Sequence, residues 1–269
     1  MFVFGILAVL QITFIPGMIL LKLLKIRWRW LQGLLLAFGL SMVANYVLVL
    51  TLVTLRLYLR GVVVAVFALE LLALVYFYRD TLTRRLAQTA ADWLAQGQEF
   101  FRSLAAGLAA GEEDHPLSRF LVRLVSVVLV VYALSMVWWG VKVFINGLGM
   151  VIDHWDAVTS WNTWTRAWAA NSVPTTFGQY PQLIPSNLSL PYVFMGSDRL
   201  QFFNTAVMSL FTGAILLLLF DLAVQHKRVG YFAAIIAAQF IIKNFAGIFM
   251  NTVYVDIPLG FFAFVAVYT

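Results

Sequence analysis

The sequence predicts an all-α, polytopic membrane protein. Of its 269 residues, 62% are hydrophobic and only 11% are charged, and the mean hydropathy is +0.90. Soluble domains do not have this balance. Several continuous apolar stretches reach the roughly 20 residues that an α-helix needs to cross a bilayer, whereas a β-barrel would show short alternating stretches. We therefore expect about seven transmembrane helices, the last of them truncated.

Six apolar stretches have the length of a membrane span. They are residues 2–21, 31–55, 61–78, 120–145, 200–224 and 231–250. The pair Pro16-Gly17 predicts a kink near the end of the first stretch. A seventh stretch runs from Ile257 to Thr269 and is too short to cross about 30 Å of hydrocarbon at 1.5 Å per residue. We interpret the sequence as the N-terminal part of a longer protein.

The sequence divides into two parts. Residues 1–118 hold three spans and a polar cytoplasmic segment, in which apolar residues recur at helical spacing and favour a helix on the membrane surface. Those residues are Leu86, Trp93, Leu94, Phe101, Leu104 and Leu108. Residues 119–269 hold the remaining spans and one long loop, 149–199.

Basic residues are distributed unevenly between the two sides of the membrane. The loops after the first, third and fifth spans carry most of them: Lys22, Lys25, Arg27, Arg29, Arg79, Arg84, Arg85, Arg102, Arg119, Lys227 and Arg228. The other side has Arg56, Arg60, Arg166 and Arg199, with Lys142 and Lys243 near helix ends. The positive-inside rule then predicts an integral protein of the cytoplasmic or plasma membrane, with the N-terminus and the loop 149–199 extracytoplasmic. Because these charges follow the topology, no nucleic-acid partner is expected.

Two carboxylates begin the polar part of the loop 149–199. Asp153 and Asp156 precede a segment, 157–171, with a helical pattern. One interpretation is structural, with Asp153 as a helix cap and Asp156 in the first turn. The other is catalytic, because a carboxylate at the membrane surface can act as a general base and take a proton from an acceptor hydroxyl.

Three tryptophans lie on one face of the same predicted helix. Trp161, Trp164 and Trp168 have the spacing of a helical stripe, which favours a short helix at the membrane interface and leaves a sugar-stacking surface as the alternative. Arg166 falls on another face. Its guanidinium is suited to hold a phosphate, although a solvated arginine fits the pattern equally well.

Other polar features are less specific. Residues 180–185 (YPQLIP) predict a rigid, non-helical turn, and Asn187-Leu-Ser189 matches a glycosylation acceptor. Glu70 is an acid inside the third span, where it needs a polar neighbour or has a function. His154 and His226 lack partners at metal-ligand spacing, so no metal site is predicted.

Three motifs together carry a family resemblance. They are Trp155-Asp156-Ala157 followed by Trp161, then Tyr180-Pro181 with Leu183 and Pro185, and finally the run from Tyr254 to Phe262 (YVDIPLGFF). Their order resembles that of the polytopic glycosyltransferases of the C-type (GT-C) superfamily, which include protein mannosyltransferases and lipid A aminoarabinose transferases. The resemblance covers residues 155–262, and the first three spans form an N-terminal extension of this GT-C-like core.

The resemblance implies a hexosyl- or pentosyltransferase. Its donor would be a sugar on a polyprenyl phosphate in the outer leaflet, and its acceptor a glycan, lipid or protein on that side; a divalent metal requirement is left open. Asp156 matches the family's catalytic base, and Asp153 is the second choice. The substrate-binding residues expected with them are Trp161, Arg166, Tyr180, Gln182, Tyr254 and Asp256.

Two other classes of function stay open. A transporter or flippase component would place ionisable groups within the spans and show internal repeats. A non-catalytic membrane subunit would use the loop 149–199 only as a contact surface. Because we interpret the sequence as part of a longer protein, we also expect this part alone to be inactive.

Overall fold

The computed structural model describes residues 1–26, 28–79, 95, 102, 116–175, 180–226 and 229–268. Regular structure in these residues is helical throughout. The α-helices are α1 (Phe2–Thr13), α2 (Ile15–Leu23), α3 (Trp30–Thr54), α4 (Arg60–Arg79), α5 (Pro116–Gly147), α6 (Thr163–Ala169), α7 (Leu183–Met195), α8 (Phe202–His226), α9 (Val229–Phe245) and α10 (Asp256–Tyr268). A π-helix, Ala157–Asn162, leads into α6, and a 3₁₀ turn, Gly247–Phe249, follows α9.

Five helical stretches in the described residues are long and apolar enough to cross a membrane. They are Phe2–Leu23, Leu31–Thr54, Arg60–Arg79, Arg123–Gly147 and Phe202–His226. These stretches indicate an integral membrane protein, as the sequence predicts. Helices α9 and α10 have 17 and 13 residues, so the number of about seven spans stays a prediction.

The first span bends, but at a different residue from the one predicted. The break between α1 and α2 falls at Phe14, with φ −139° and ψ −53°. Pro16 lies in the first turn of α2, where a missing backbone N–H costs no hydrogen bond. Gly17 then allows close packing on α3, since a Cβ there would lie 2.0 Å from the carbonyl oxygen of Ala37.

The helices form one bundle with two distinct ends. We call the end of the bundle that carries the loop 149–199 the loop end. The helices that begin there are α1, α4, α8 and α10, and the helices that finish there are α3, α5 and α9. Helices α1 and α3 pack on α7 and α8, and α5 packs on α8 and α9. The N-terminal spans therefore share a hydrophobic core with the second part of the chain. The surface helix predicted around residues 86–108 lies outside the described residues, apart from positions 95 and 102.

The loop 149–199 contains a buried helix that the sequence analysis missed. In α7 every residue from Ile184 to Met195 is buried, and the helix packs against α1, α3, α6 and α8. The predicted non-helical turn is wrong beyond Gln182, because Pro185 fits in the first turn of a helix. Asn187 is also buried and donates from Nδ2 to the carbonyl of Met42 at 2.9 Å, so the glycosylation triplet is not at the surface.

Candidate functional site

The acidic segment at the loop end is held in place by its backbone. The buried Ile152 donates its N–H to Oε1 of Gln201 at 2.8 Å, which ties the segment to the start of α8. Asp153 and Asp156 follow, and both are exposed. In the described part of the chain, neither carboxylate makes a capping hydrogen bond. The structure therefore gives no support to the interpretation of Asp153 as a helix cap, and it leaves the Asp156 carboxylate open to solvent.

The segment before α10 lies beside these carboxylates. The ring of His154 is 6.3 Å from the ring of Tyr254, and His154 Nδ1 is 3.8 Å from Asp153 Oδ1. Tyr254 also packs on Phe249 at 4.6 Å between ring centroids. Asp256 begins α10 two residues later and is exposed. The fold thus brings the first and the third motif of the sequence together.

The second motif packs against the helix that follows Asp156. Tyr180 lies 5.7 Å from both Trp161 and Trp164, measured between ring centroids. Trp168 donates from Nε1 to Oε1 of Gln182 at 3.0 Å. All three tryptophans are buried, so the stripe faces neighbouring helices, whereas Tyr180 is 60% exposed. Among these four rings, Tyr180 is therefore the one that a ligand can reach. Trp161 packs against its ring, and Gln182 donates to its backbone carbonyl.

Arg166 lies on the other face of α6, as its spacing from the tryptophans predicts. Its Nε is 3.0 Å from Oδ2 of Asp198, and both side chains are about half exposed. The pair borders a cavity of about 390 Å³. The cavity is also lined by Tyr58, Arg60, Tyr192 and Gly196.

The cavity includes residues that the sequence analysis did not select. In the sequence, Arg60 stands out only as one of the few basic residues on the predicted extracytoplasmic side. That rarity is the one feature of the sequence that could have identified it as a site residue. Tyr192 donates to Oδ1 of Asn162 at 2.8 Å. Burial raises the pKa of the Tyr192 hydroxyl, and the charge of Arg166 opposes this increase. The phenol is therefore neutral at physiological pH.

The predicted site residues thus fall into three groups at the loop end. Asp153 and Asp156, near His154 in sequence, and Tyr254 and Asp256 are linked through the contact of His154 with Tyr254, and we call them the acidic group. Trp161, Tyr180 and Gln182 belong to the aromatic cluster, and Arg166 belongs to the cavity. Arg166 follows Asp156 by ten positions in the chain, which corresponds to at most about 15 Å along the helix axis at the α-helical rise. An exposed carboxylate can accept a proton from a hydroxyl, while an arginine beside a cavity can bind an anion.

No metal-ligand set is found in the part of the chain that the structure describes: no three His, Asp or Glu side chains there are grouped to hold an ion. Comparison with protein-family models, curated proteins and solved structures gives no match to this chain. The geometry and chemistry of the loop end are therefore the basis for assigning a function to this chain.

Proposed function

We propose that this chain belongs to an integral membrane glycosyltransferase of the C-type superfamily. The enzyme transfers a pentose or hexose from a polyprenyl phosphate to a hydroxyl of a glycan, lipid or protein acceptor on the extracytoplasmic side. Asp156 is the general base, and Asp153 is the second candidate for that role.

The proposed reaction is a single displacement at the anomeric carbon. The acceptor oxygen forms a bond to this carbon, and the bond from the carbon to the phosphate oxygen breaks. The acceptor proton passes to the carboxylate of Asp156, and polyprenyl phosphate leaves with the bonding electron pair. A base at this step typically increases the rate by about 10²–10⁴-fold.

The observation that carries this proposal is the meeting of the three motifs at one end of the bundle. His154, next to the Trp-Asp-Ala motif, contacts Tyr254 of the third motif. Trp161 contacts Tyr180 of the second motif. These contacts join separate parts of the sequence, and the exposed carboxylate of Asp156, which has no side-chain partner among the described residues, lies between His154 and Trp161 in the chain.

The roles proposed for the other predicted residues depend on whether their side chains are exposed or buried. Tyr180 offers an exposed aromatic face for a sugar ring, while the buried Trp161 and Gln182 fix its position. Tyr254 and Asp256 line the acceptor side of the acidic group. Arg166 binds an anionic group of a substrate from the neighbouring cavity.

The proposal is tested with the full-length protein in proteoliposomes and a panel of synthetic pentosyl and hexosyl polyprenyl phosphates. Release of polyprenyl phosphate is measured with and without membrane extract as the source of acceptor. We expect acceptor-dependent release from at least one donor. No release above protein-free liposomes with any donor would overturn the proposal.

One observation favours a transporter or flippase component as the second candidate. Within the spans, Gln11 donates from Nε2 to Glu70 Oε2 at 2.6 Å and to Asn45 Oδ1 at 3.0 Å. Intramembrane acids often mark ion or substrate pathways. Amides that join α1, α3 and α4 also serve as packing contacts between spans. Because the contact is explained by packing, the transferase is the better supported proposal.

A further inference from the structure

The cavity at the loop end is built by three separate helix ends. Arg60 begins α4, Arg166 lies near the end of α6, and Gly196 follows the end of α7. Arg60 lies outside residues 155–262, which carry the family resemblance. The cavity therefore combines the N-terminal extension with the core, and its volume of about 390 Å³ accommodates a small polar group.

The charge of this cavity is unbalanced. Asp198 is the one carboxylate among the lining residues, and it pairs with Arg166 through Nε. Arg60 has no carboxylate partner in the described residues, and its guanidinium lies 4.5 Å over the ring of Phe4. Two guanidinium groups thus face a single carboxylate, which favours binding of an anion.

Gly196 ends α7 beside Arg60. It has φ +68°, a left-handed conformation that other residues rarely adopt. A Cβ at this position would lie 3.4 Å from Nη1 of Arg60, which is an ordinary van der Waals contact. The turn that ends α7 therefore places Ser197 and Asp198 at the cavity, next to the guanidinium of Arg60.

We propose that this cavity is a binding site for a phosphate group, distinct from the acidic group around Asp156. Arginine binds phosphate through two parallel N–H donors, and the weakly hydrated guanidinium tolerates a half-buried position. Leu59 and Val193 form an apolar wall of the cavity. Arg60 is the first residue of α4, which is long and apolar enough to span the membrane. A lipid headgroup or a free phosphate supplies the same chemistry. Arg166 is shared with the proposed transferase site, and the cavity adds Arg60 to it; phosphate binding here is measured without turnover of a sugar donor.

The test is direct binding to the purified, delipidated chain in neutral detergent. The probes are phosphatidic acid and inorganic phosphate, and the matched probe without phosphate is diacylglycerol. Affinity is measured by native mass spectrometry for the lipids and by the shift of the thermal unfolding midpoint for inorganic phosphate. No sugar donor is present, so failure of the transferase proposal leaves this result unaffected.

Four variants test the site. Arg60→Gln and Arg166→Gln should each weaken binding of the phosphate probe about tenfold or more. Arg199→Gln removes the same charge from a residue that does not line the cavity and should change affinity less than about twofold. A fourth variant, Arg60→Lys, keeps the charge but loses the two parallel donors, and its affinity should fall between those of the wild type and of Arg60→Gln. If glutamine at position 60 disturbs folding, the Arg60→Lys variant still tests whether the guanidinium contributes to phosphate binding.

The outcomes separate the two sources of phosphate. Arginine-dependent binding of phosphatidic acid alone identifies a lipid headgroup site, and binding of inorganic phosphate as well shows that the phosphate group suffices. Equal binding of diacylglycerol and phosphatidic acid would overturn the proposal. It would also be overturned by an equal loss in Arg199→Gln, or by no binding of either phosphate probe.

Discussion

The two ends of the helix bundle use their carboxylates in opposite ways. At the end away from the loop, Asp221 of α8 is only 6% exposed and lies 2.8 Å from Nη2 of Arg29. It also accepts hydrogen bonds from Gln225 and from the hydroxyl of Tyr268. At the loop end, Asp156 is exposed and has no ion pair or side-chain hydrogen bond to the described residues.

This difference indicates which acid is structural and which is free for chemistry. The buried Asp221 carboxylate has three partners on Oδ2, and it connects α8 with α10 and with Arg29, the residue directly before α3. An exposed carboxylate contributes little to stability and can accept a proton. The sequence alone does not indicate the structural role of Asp221, because its partners Arg29 and Tyr268 are distant in the chain.

The largest effect expected from this comparison is an all-or-none difference in accessibility. The chain has no cysteine, so single cysteines are unambiguous reporters. Ser172→Cys lies at the loop end and His226→Cys at the opposite end, and neither position is buried. A membrane-impermeant maleimide should label the Ser172→Cys chain in intact cells, and the His226→Cys chain only after permeabilisation, because basic residues cluster at the opposite end.

The reverse labelling pattern would invert the topology. Asp156 would then face the cytoplasm, and a donor in the outer leaflet could not reach it. Labelling of both positions after permeabilisation is the control that each cysteine is reactive.

A smaller effect is expected on stability at the opposite end. Asp221→Asn removes the charge that Arg29 and Tyr268 contact, and hydrogen bonds to charged groups contribute about 1.5–3 kcal/mol. Because Arg29 is 46% exposed, we expect a loss at or below the lower end of this range, about 1–1.5 kcal/mol. The free energy of unfolding in detergent, followed by tryptophan fluorescence, measures this loss.

The matched control is Asp256→Asn, an exposed carboxylate at the loop end, which should change the free energy of unfolding by less than about 0.5 kcal/mol. A double-mutant cycle with Arg29→Gln isolates the pair. If Asp221→Asn is as stable as the Asp256 variant, the assignment of Asp221 as a structural acid is wrong.

The five helices of membrane-spanning length were predictable from the sequence because each depends on local composition. A long apolar stretch such as α8 has one stable state in a bilayer, with its backbone hydrogen bonds satisfied internally. The observed bounds of α3 and α8 differ from the predicted ones by at most two residues at each end. The tryptophan stripe was also visible, since helical spacing alone puts three rings on one face.

Helix α7 and the arginine cavity were not predictable, since both depend on tertiary partners. Helix α7 has 13 residues and contains two prolines and three polar side chains, so no local pattern marks it as buried. Two of its polar side chains contact distant residues: the Tyr58 and Ser189 hydroxyls lie 2.7 Å apart, and Nδ2 of Asn187 donates to the carbonyl of Met42. Arg60 and Arg166 likewise meet at one cavity only through the packing of separate helices.

The most direct test of the central claim is the turnover of Asp156→Asn in the full-length protein, with the donor that gives release in the panel. Asparagine keeps the shape of the side chain and is as good a helix cap as aspartate, but it cannot accept the acceptor proton. We expect turnover to fall about 10²–10⁴-fold at an unchanged unfolding midpoint, with a milder loss in Asp153→Asn. Turnover of Asp156→Asn within about twofold of the wild type would contradict the assignment of Asp156 as the general base.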